Sequence, residues 1–144
     1  MYRVMIIDDE KALRNLLKAS VDWQEMGLEV VGEAASGIEA INIIDKLRPD
    51  IIFVDIRMPF MDGIEFSKIA LKRYRQMKII ILTAFDEFEY AKEAVHLEIK
   101  EYMLKPISAT ELSDSLVKLK NTLDKEREEK LNVKKLEDYF QEVL

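Results

Sequence analysis

Three uninterrupted apolar runs, Val4-Met5-Ile6-Ile7, Ile51-Ile52-Phe53-Val54 and Ile79-Ile80-Ile81-Leu82, limit what this chain can become. Each has the length of a strand, is rich in β-branched residues and has no polar side chain to turn toward water. A strand of this kind must be covered on both faces, which is the condition of a parallel sheet with helices above and below it. Leu28 to Gly32 and Tyr102-Met103-Leu104 are weaker strand candidates. Between the runs lie amphipathic segments with readable starts. Ser36-x-x-Glu39, Asp62-x-x-Glu65, Asp86-x-x-Glu89 and Ser108-x-x-Glu111 each set a capping oxygen three residues before a glutamate. Behind the first, Ile38, Ile41, Ile44 and Leu47 are expected to form one apolar stripe; behind the third come Phe88, Ala91 and Val95. Five βα units result. Parallel strands need crossover helices, and the right-handed crossover rule places them on both faces of the sheet. The fold class is a doubly wound α/β sandwich; the pattern alone leaves the strand order open.

A chain of 144 residues suffices for one domain with its own core. Its formal charge of −6 argues against nucleic acid binding by the chain itself, because a DNA reader needs a basic face to neutralise phosphates. Cysteine is absent, which excludes disulfides, zinc–thiolate sites and thiol nucleophiles, and a single histidine cannot build a histidine-rich metal site. The run Val4 to Ile7 stops at Asp8-Asp9-Glu10, too early for a secretory signal core. No apolar stretch reaches the roughly 18–20 residues that span a bilayer. A cytoplasmic protein without membrane contact is expected.

The last segment differs from the rest. After Pro106 neither glycine nor proline interrupts the chain, so an extended C-terminal helix is expected. Leu112, Leu116, Leu119 and Leu123 repeat at helical spacing, mixed charges follow, and Val133, Leu136, Phe140 and Val143 restore an apolar stripe. Residues 1–124 are read as one domain and 125–144 as a helical linker toward an output domain beyond this chain. A helical hairpin folding back on the domain is the alternative.

In an open α/β sheet, ligands bind beyond the carboxyl ends of the strands. The first run ends at Asp8-Asp9, the third at Asp55 and the fourth at Thr83, and the last leads to Lys105-Pro106. Three carboxylates, a hydroxyl and an ammonium thus meet on one edge, and folding alone does not require it. Clustered carboxylates repel one another, and a hard cation with oxygen ligands removes that cost. Magnesium suits one or two carboxylates plus phosphate oxygens; calcium asks for more ligands, and transition metals usually recruit imidazole or thiolate. A carboxylate fixed at the end of a buried strand, as Asp55 would be, can attack phosphorus to give an aspartyl phosphate, with the metal and Lys105 stabilising phosphoryl charge. Taken alone, Asp8-Asp9 could equally be a helix N-terminal cap. Asp62-Gly63 reads as a turn and helix start, structural in role.

Asp8-Asp9-Glu10, Asp55-Ile56-Arg57-Met58-Pro59-Phe60-Met61-Asp62-Gly63, Thr83-Ala84 and Lys105-Pro106, in this order and spacing, resemble the signatures of the response-regulator receiver family over about residues 3–124. The resemblance implies a flavodoxin-like, five-stranded parallel sheet in the order 2-1-3-4-5, flanked by five helices. It implies Asp55 as phosphoacceptor, Asp9 as a direct magnesium ligand, Asp8 acting largely through water, and the backbone carbonyl of Arg57 as a further ligand. Lys105 would pair with the phosphoryl group, the peptide before Pro106 would be cis, and Thr83 and Tyr102 would form the switch pair. Such a chain is a signalling switch and not an enzyme in its own right.

Asp22-Trp23-x-x-Met26-Gly27 and Phe85-Asp86-Glu87-Phe88-Glu89-Tyr90-Ala91 resemble receivers that precede an AraC-type pair of helix-turn-helix modules. The partners implied are a sensor histidine kinase as phosphodonor, a second copy through the 86–123 face or the linker helix, and DNA only through the output domain. A stand-alone receiver acting by protein contact is the alternative. An aspartate-nucleophile phosphatase is disfavoured because it usually carries Asp-x-Asp near the first strand. A flavin-binding sheet is disfavoured because the first turn is Asp-Asp-Glu-Lys-Ala and not a Ser/Thr/Gly-rich phosphate loop. Phe85, two residues after Thr83, is a candidate shield against water at the acyl phosphate, together with the Arg57 side chain. His96 reads as a solvated helix residue.

Overall fold

The structure, a computed structural model, describes residues 1–84, 99 and 101–143. The Asp86 capping box, the Phe88–Val95 stripe, the proposed Phe85 shield and His96 lie outside the described residues. Strands β1 (Tyr2–Ile7), β2 (Leu28–Ala34), β3 (Ile51–Asp55), β4 (Lys78–Thr83) and β5 (Glu101–Leu104) form one sheet in the order β2-β1-β3-β4-β5. Every neighbouring pair is parallel, as the continuous apolar runs and the family resemblance require. The helices among the described residues are α1 (Lys11–Ser20), α2 (Gly37–Leu47), α3 (Gly63–Arg73) and α4 (Ala109–Val143). The chain divides into two compact units, the first ending at Leu112 and the second beginning at Ser113.

Within the first unit the sheet is a buried middle layer. Pleating sends alternate side chains to opposite faces. Met5, Ile7, Ile52, Val54, Ile79 and Ile81 join one cluster with Ala40 and Ile44 of α2 and Ile64, Phe66 and Ala70 of α3. Val4, Ile6, Ile51, Phe53, Ile80 and Leu82 point the other way and are equally buried. There the Trp23 ring meets Phe53 edge-on, with centroids 6.0 Å apart, and its indole N–H donates to Lys18 O at 3.0 Å. Strand β3 is buried throughout, and β1 and β4 are buried apart from their first residues, whereas β2 and β5, at the edges, are mixed. This is why their sequences read as weaker strands.

Local chemistry places the helix starts as expected. Ser36 Oγ accepts from Glu39 N at 3.1 Å, Asp62 Oδ1 from Glu65 N at 2.8 Å, and Ser108 Oγ from Glu111 N at 3.0 Å. The apolar face of α2 departs from expectation: Gly37, Ala40 and Ile44 are buried, while Ile38 is exposed. Steps of three residues drift by about 60° around a helix turning about 100° per residue, so Ile38 and Ile44 lie about 120° apart. One stripe cannot hold both.

Helix α4 runs unbroken from Ala109 to Val143, so no hairpin turn interrupts it. In the second unit Leu116, Leu119 and Leu123 are buried, whereas Leu131, Val133, Leu136, Tyr139, Phe140 and Val143 are exposed. No helix among the described residues is long and apolar enough to cross a membrane.

Candidate functional site

The chain reverses its direction of travel across the sheet between β1 and β3, and the crevice beyond their carboxyl ends is where such folds bind ligands. Asp8 follows β1 directly and continues its ladder through Asp8 N to Ala34 O at 3.1 Å. Asp55 is the last residue of β3 and pairs with Leu82 of β4. Oxygens of Asp8, Asp9 and Asp55 lie within 4.8 Å of one another. Asp8 is 0% and Asp55 5% exposed, while Asp9 faces solvent. The capping alternative for Asp8-Asp9 fails: α1 has Glu10 at its N-cap, with no side-chain capping bond.

Lys105, one residue past β5, reaches across the strand ends. Its ammonium donates to Asp55 Oδ1 at 2.8 Å and approaches Asp8 Oδ2 at 3.4 Å. Burial pushes the Asp55 carboxyl up to about 6; the Lys105 hydrogen bond opposes this, and the nearby charges of Asp8 and Asp9 add to it. Burial also raises Asp8, against the hydrogen bond that Asp8 Oδ1 accepts from Glu10 N at 3.0 Å. Burial disfavours the charge on Lys105 too, but its bond and attraction to Asp55, then Asp8, outweigh that and hold its pKa above the ordinary value. The site is therefore a desolvated acidic cluster partly neutralised by one ammonium. Its donors are hard carboxylate oxygens, which fit a magnesium ion and not a soft metal.

The loop after Asp55 closes tightly. Gly63 N donates to Ile56 O at 2.9 Å, and a Cβ on Gly63 would stand 2.3 Å from Asp55 O. Only glycine allows helix α3 to start this close to the back of Asp55. At the loop tip Met61 N donates to Pro59 O at 2.8 Å around Phe60, whose φ is 69°. This is a γ-turn of the strained hand, and it leaves the Phe60 ring 96% exposed. Arg57, Met58, Pro59 and Asp62 line an open hollow of about 470 Å³ there.

A buried carboxylate at the switch point, two neighbouring acids and a lysine just past β5 accompany a match to one family along most of the chain. Residues 4–117 match the response regulator receiver domain. The chain belongs to that family. This receiver resembles the REC domain of AraT, a response regulator from Geobacillus stearothermophilus, at 39% identity and a TM-score of 0.84, covering 88% of this chain and 98% of that one. It also resembles a two-component transcriptional regulator AraC from Clostridium phytofermentans, at 34% identity and TM-score 0.82, with 88% and 98% coverage. The transcriptional regulatory protein BtsR of Salmonella typhi is 39% identical over 126 residues, 88% of this chain. The receiver spans 51% of BtsR and 32% of the transcriptional regulatory protein YesN of Bacillus subtilis, to which it is 35% identical over 81% of its own length.

The receiver's remaining expected residues are placed as follows. Thr83 is buried at the end of β4, and its hydroxyl donates to Ala84 O at 3.1 Å; Lys105 N donates to Thr83 O at 2.8 Å. Tyr102 lies on β5 beside Ile81 and is exposed. The Lys105–Pro106 peptide is cis. Arg57 is exposed just past Asp55. Sequence reasoning missed two contributors. Gly63 was read as a helix start alone, since nothing in Asp-Gly reveals the approach to Asp55. Arg14 carried no motif, yet its Nη1 donates to Asp8 O at 2.6 Å.

Proposed function

We propose that this receiver is the phosphoryl-accepting switch of a two-component phosphorelay, with Asp55 as the acceptor. What carries the reading is the buried Asp55 carboxylate, held at 2.8 Å by Lys105 and within 4.8 Å of the Asp8 and Asp9 carboxylates. An Asp55 oxygen attacks phosphorus on the phosphohistidine of a sensor kinase. The O–P bond forms, the N–P bond breaks, and its electron pair returns to the imidazole. Asp9, Asp55 and the Arg57 backbone carbonyl would hold a magnesium ion, with Asp8 acting largely through water. Those residues would place a positive charge where it could offset the negative charge on the transferring phosphoryl oxygens. Lys105 follows that charge from carboxylate to phosphoryl group. The Thr83 hydroxyl trades Ala84 O for a phosphoryl oxygen, and Tyr102 turns inward behind it.

Such a chain works as a switch and not as a turnover enzyme: phosphorylation changes which of two conformations partners prefer. Residues 1–124 form the receiver and 125–144 a linker toward a C-terminal, DNA-binding output of AraC type, in a cytoplasmic transcription regulator. The likeness to the two-component transcriptional regulator AraC of Clostridium phytofermentans supports the output type, and the likeness to BtsR, a transcriptional regulatory protein, supports a role in transcription. A homodimer through the 86–123 face or the linker helix would join two such outputs. The exposed apolar stripe from Leu131 to Val143 fits the linker role. The test is phosphorylation by a small acyl-phosphate donor with magnesium, followed by mapping of the modified residue. Labelling at Asp55 that vanishes in Asp55→Asn and with chelator is expected; label elsewhere, or label retained by Asp55→Asn, refutes the reading. A parent gene that stops at this chain's last residue would instead favour a stand-alone receiver.

A further inference from the structure

The backbone of Asp8 is tied on both sides. Its N–H donates to Ala34 O at 3.1 Å, and its C=O accepts from Arg14 Nη1 at 2.6 Å. Arg14 is itself held: its Nε donates to Glu33 Oε1 at 3.1 Å, and Lys18 Nζ donates to Glu33 Oε2 at 2.7 Å. One guanidinium therefore joins α1, the end of β1 and β2. The Arg14 side chain is only 13% exposed, so this is not a loose surface pair.

Two features of this arrangement are unfavourable for α1 taken alone. Arg14 lies near the positive end of the helix dipole, and Arg14 and Lys18 are like charges four residues apart. Glu33, facing both from β2, offsets the two costs, and its carboxyl is held below the ordinary range first by the Lys18 hydrogen bond. Helix stability does not explain a cation at position 14; the contact with Asp8 O does. The Asp8–Asp9 peptide is planar, so its oxygen and the Cα of Asp9 move as one rigid body. Fixing Asp8 N–H and Asp8 C=O thus sets the backbone positions from which the side chains of Asp8 and Asp9 begin.

We propose that Arg14, held by Glu33, is a positioning residue that aligns Asp8 and Asp9 for a divalent cation. The inference rests on the reading of those carboxylates as a magnesium site. Groups that orient metal ligands typically change metal affinity by about 10–100-fold when removed. The experiment measures magnesium affinity by titration calorimetry, and thermal midpoints with and without magnesium, in wild type, Arg14→Ala, Arg14→Lys and Glu33→Gln. Arg73→Ala, which breaks the exposed 3.2 Å pair with Asp45, serves as control. Arg14→Ala is expected to bind magnesium about tenfold more weakly or worse, with a smaller metal-induced rise in midpoint. Glu33→Gln should lose severalfold, and Arg14→Lys should recover only part, since an ammonium lacks the planar fork. Should Arg14→Ala fail to fold, Glu33→Gln carries the same comparison. A merely structural role would lower the midpoint equally with and without magnesium and leave affinity at the wild-type value. That result in both Arg14→Ala and Glu33→Gln overturns the inference alone. A wild-type protein that binds no magnesium overturns the reading of the site, and the inference with it.

Discussion

Replacing Asp55 by asparagine should make the metal-free receiver more stable at neutral pH, although it removes the proposed acceptor. In the fold the carboxyl is raised from 3.8 to about 6, chiefly because it is buried. At about 1.4 kcal/mol per pKa unit, its ionised form is less favourable in the fold than in the unfolded chain by on the order of 3 kcal/mol. Asparagine keeps the shape and discards the charge; the raised value already includes the attraction of Lys105 for the carboxylate, so that bond is not subtracted again. A net gain of about 2–3 kcal/mol is expected. The pH dependence follows from the direction of the shift. A carboxyl raised in the fold binds its proton more tightly there, so its contribution is most favourable below the unfolded value, near pH 4, and declines as pH rises through about 6. Urea unfolding in chelator, from about pH 4 to about pH 7, should show the two proteins converging at the acid end and separating at neutrality. Magnesium should stabilise wild type and close the gap. If Asp55→Asn is no more stable at pH 7, or the gap persists unchanged in acid, the electrostatic account of the site is wrong.

Gly63→Ala places a Cβ 2.3 Å from Asp55 O, a backbone atom that cannot swing aside. We expect a loss of about 1–3 kcal/mol in urea unfolding and slower acyl-phosphate labelling of Asp55; an unperturbed variant would show that α3 can retreat freely. Lys105→Ala removes the ammonium that opposes the burial shift on Asp55. Its Asp55 carboxyl should titrate still higher by NMR, and the metal-free protein should be less stable at pH 7. An Asp55 titration at or below the wild-type value would contradict this.

The sheet was legible because its three inner strands carry their burial in their composition: Val4 to Ile7, Ile51 to Val54 and Ile79 to Leu82 admit no wet face. Edge strands were harder. Glu29 and Glu101 sit in β2 and β5 because one rim of each strand is open, so no continuous apolar run marks them. Asp8, Asp55, Thr83 and Lys105 could be named because each directly ends or follows a strand, and parallel strands gather such ends on one side. The supports of the site were hidden. The Arg14–Glu33 pair spans 19 residues and exists only once α1 lies beside β2, and the fit of Gly63 under Asp55 depends on the path of a whole loop. Ile38 misled because a three-residue repeat resembles a helical face without being one. The strain at Phe60 has no compositional sign, since a bulky residue at positive φ runs against local preference.

The double engagement of Lys105 bears on the order in which the molecule is made ready. In many small metal proteins the ion and the fold arrive together, because the ligands cannot be gathered without it. Here an ammonium from the last strand's exit already stands between Asp8 and Asp55. The core below them is built of apolar side chains that need no ion. A newly synthesised chain can therefore complete its architecture without a cation; on the proposed reading of the site, the ion would load afterwards, reversibly, as supply changes.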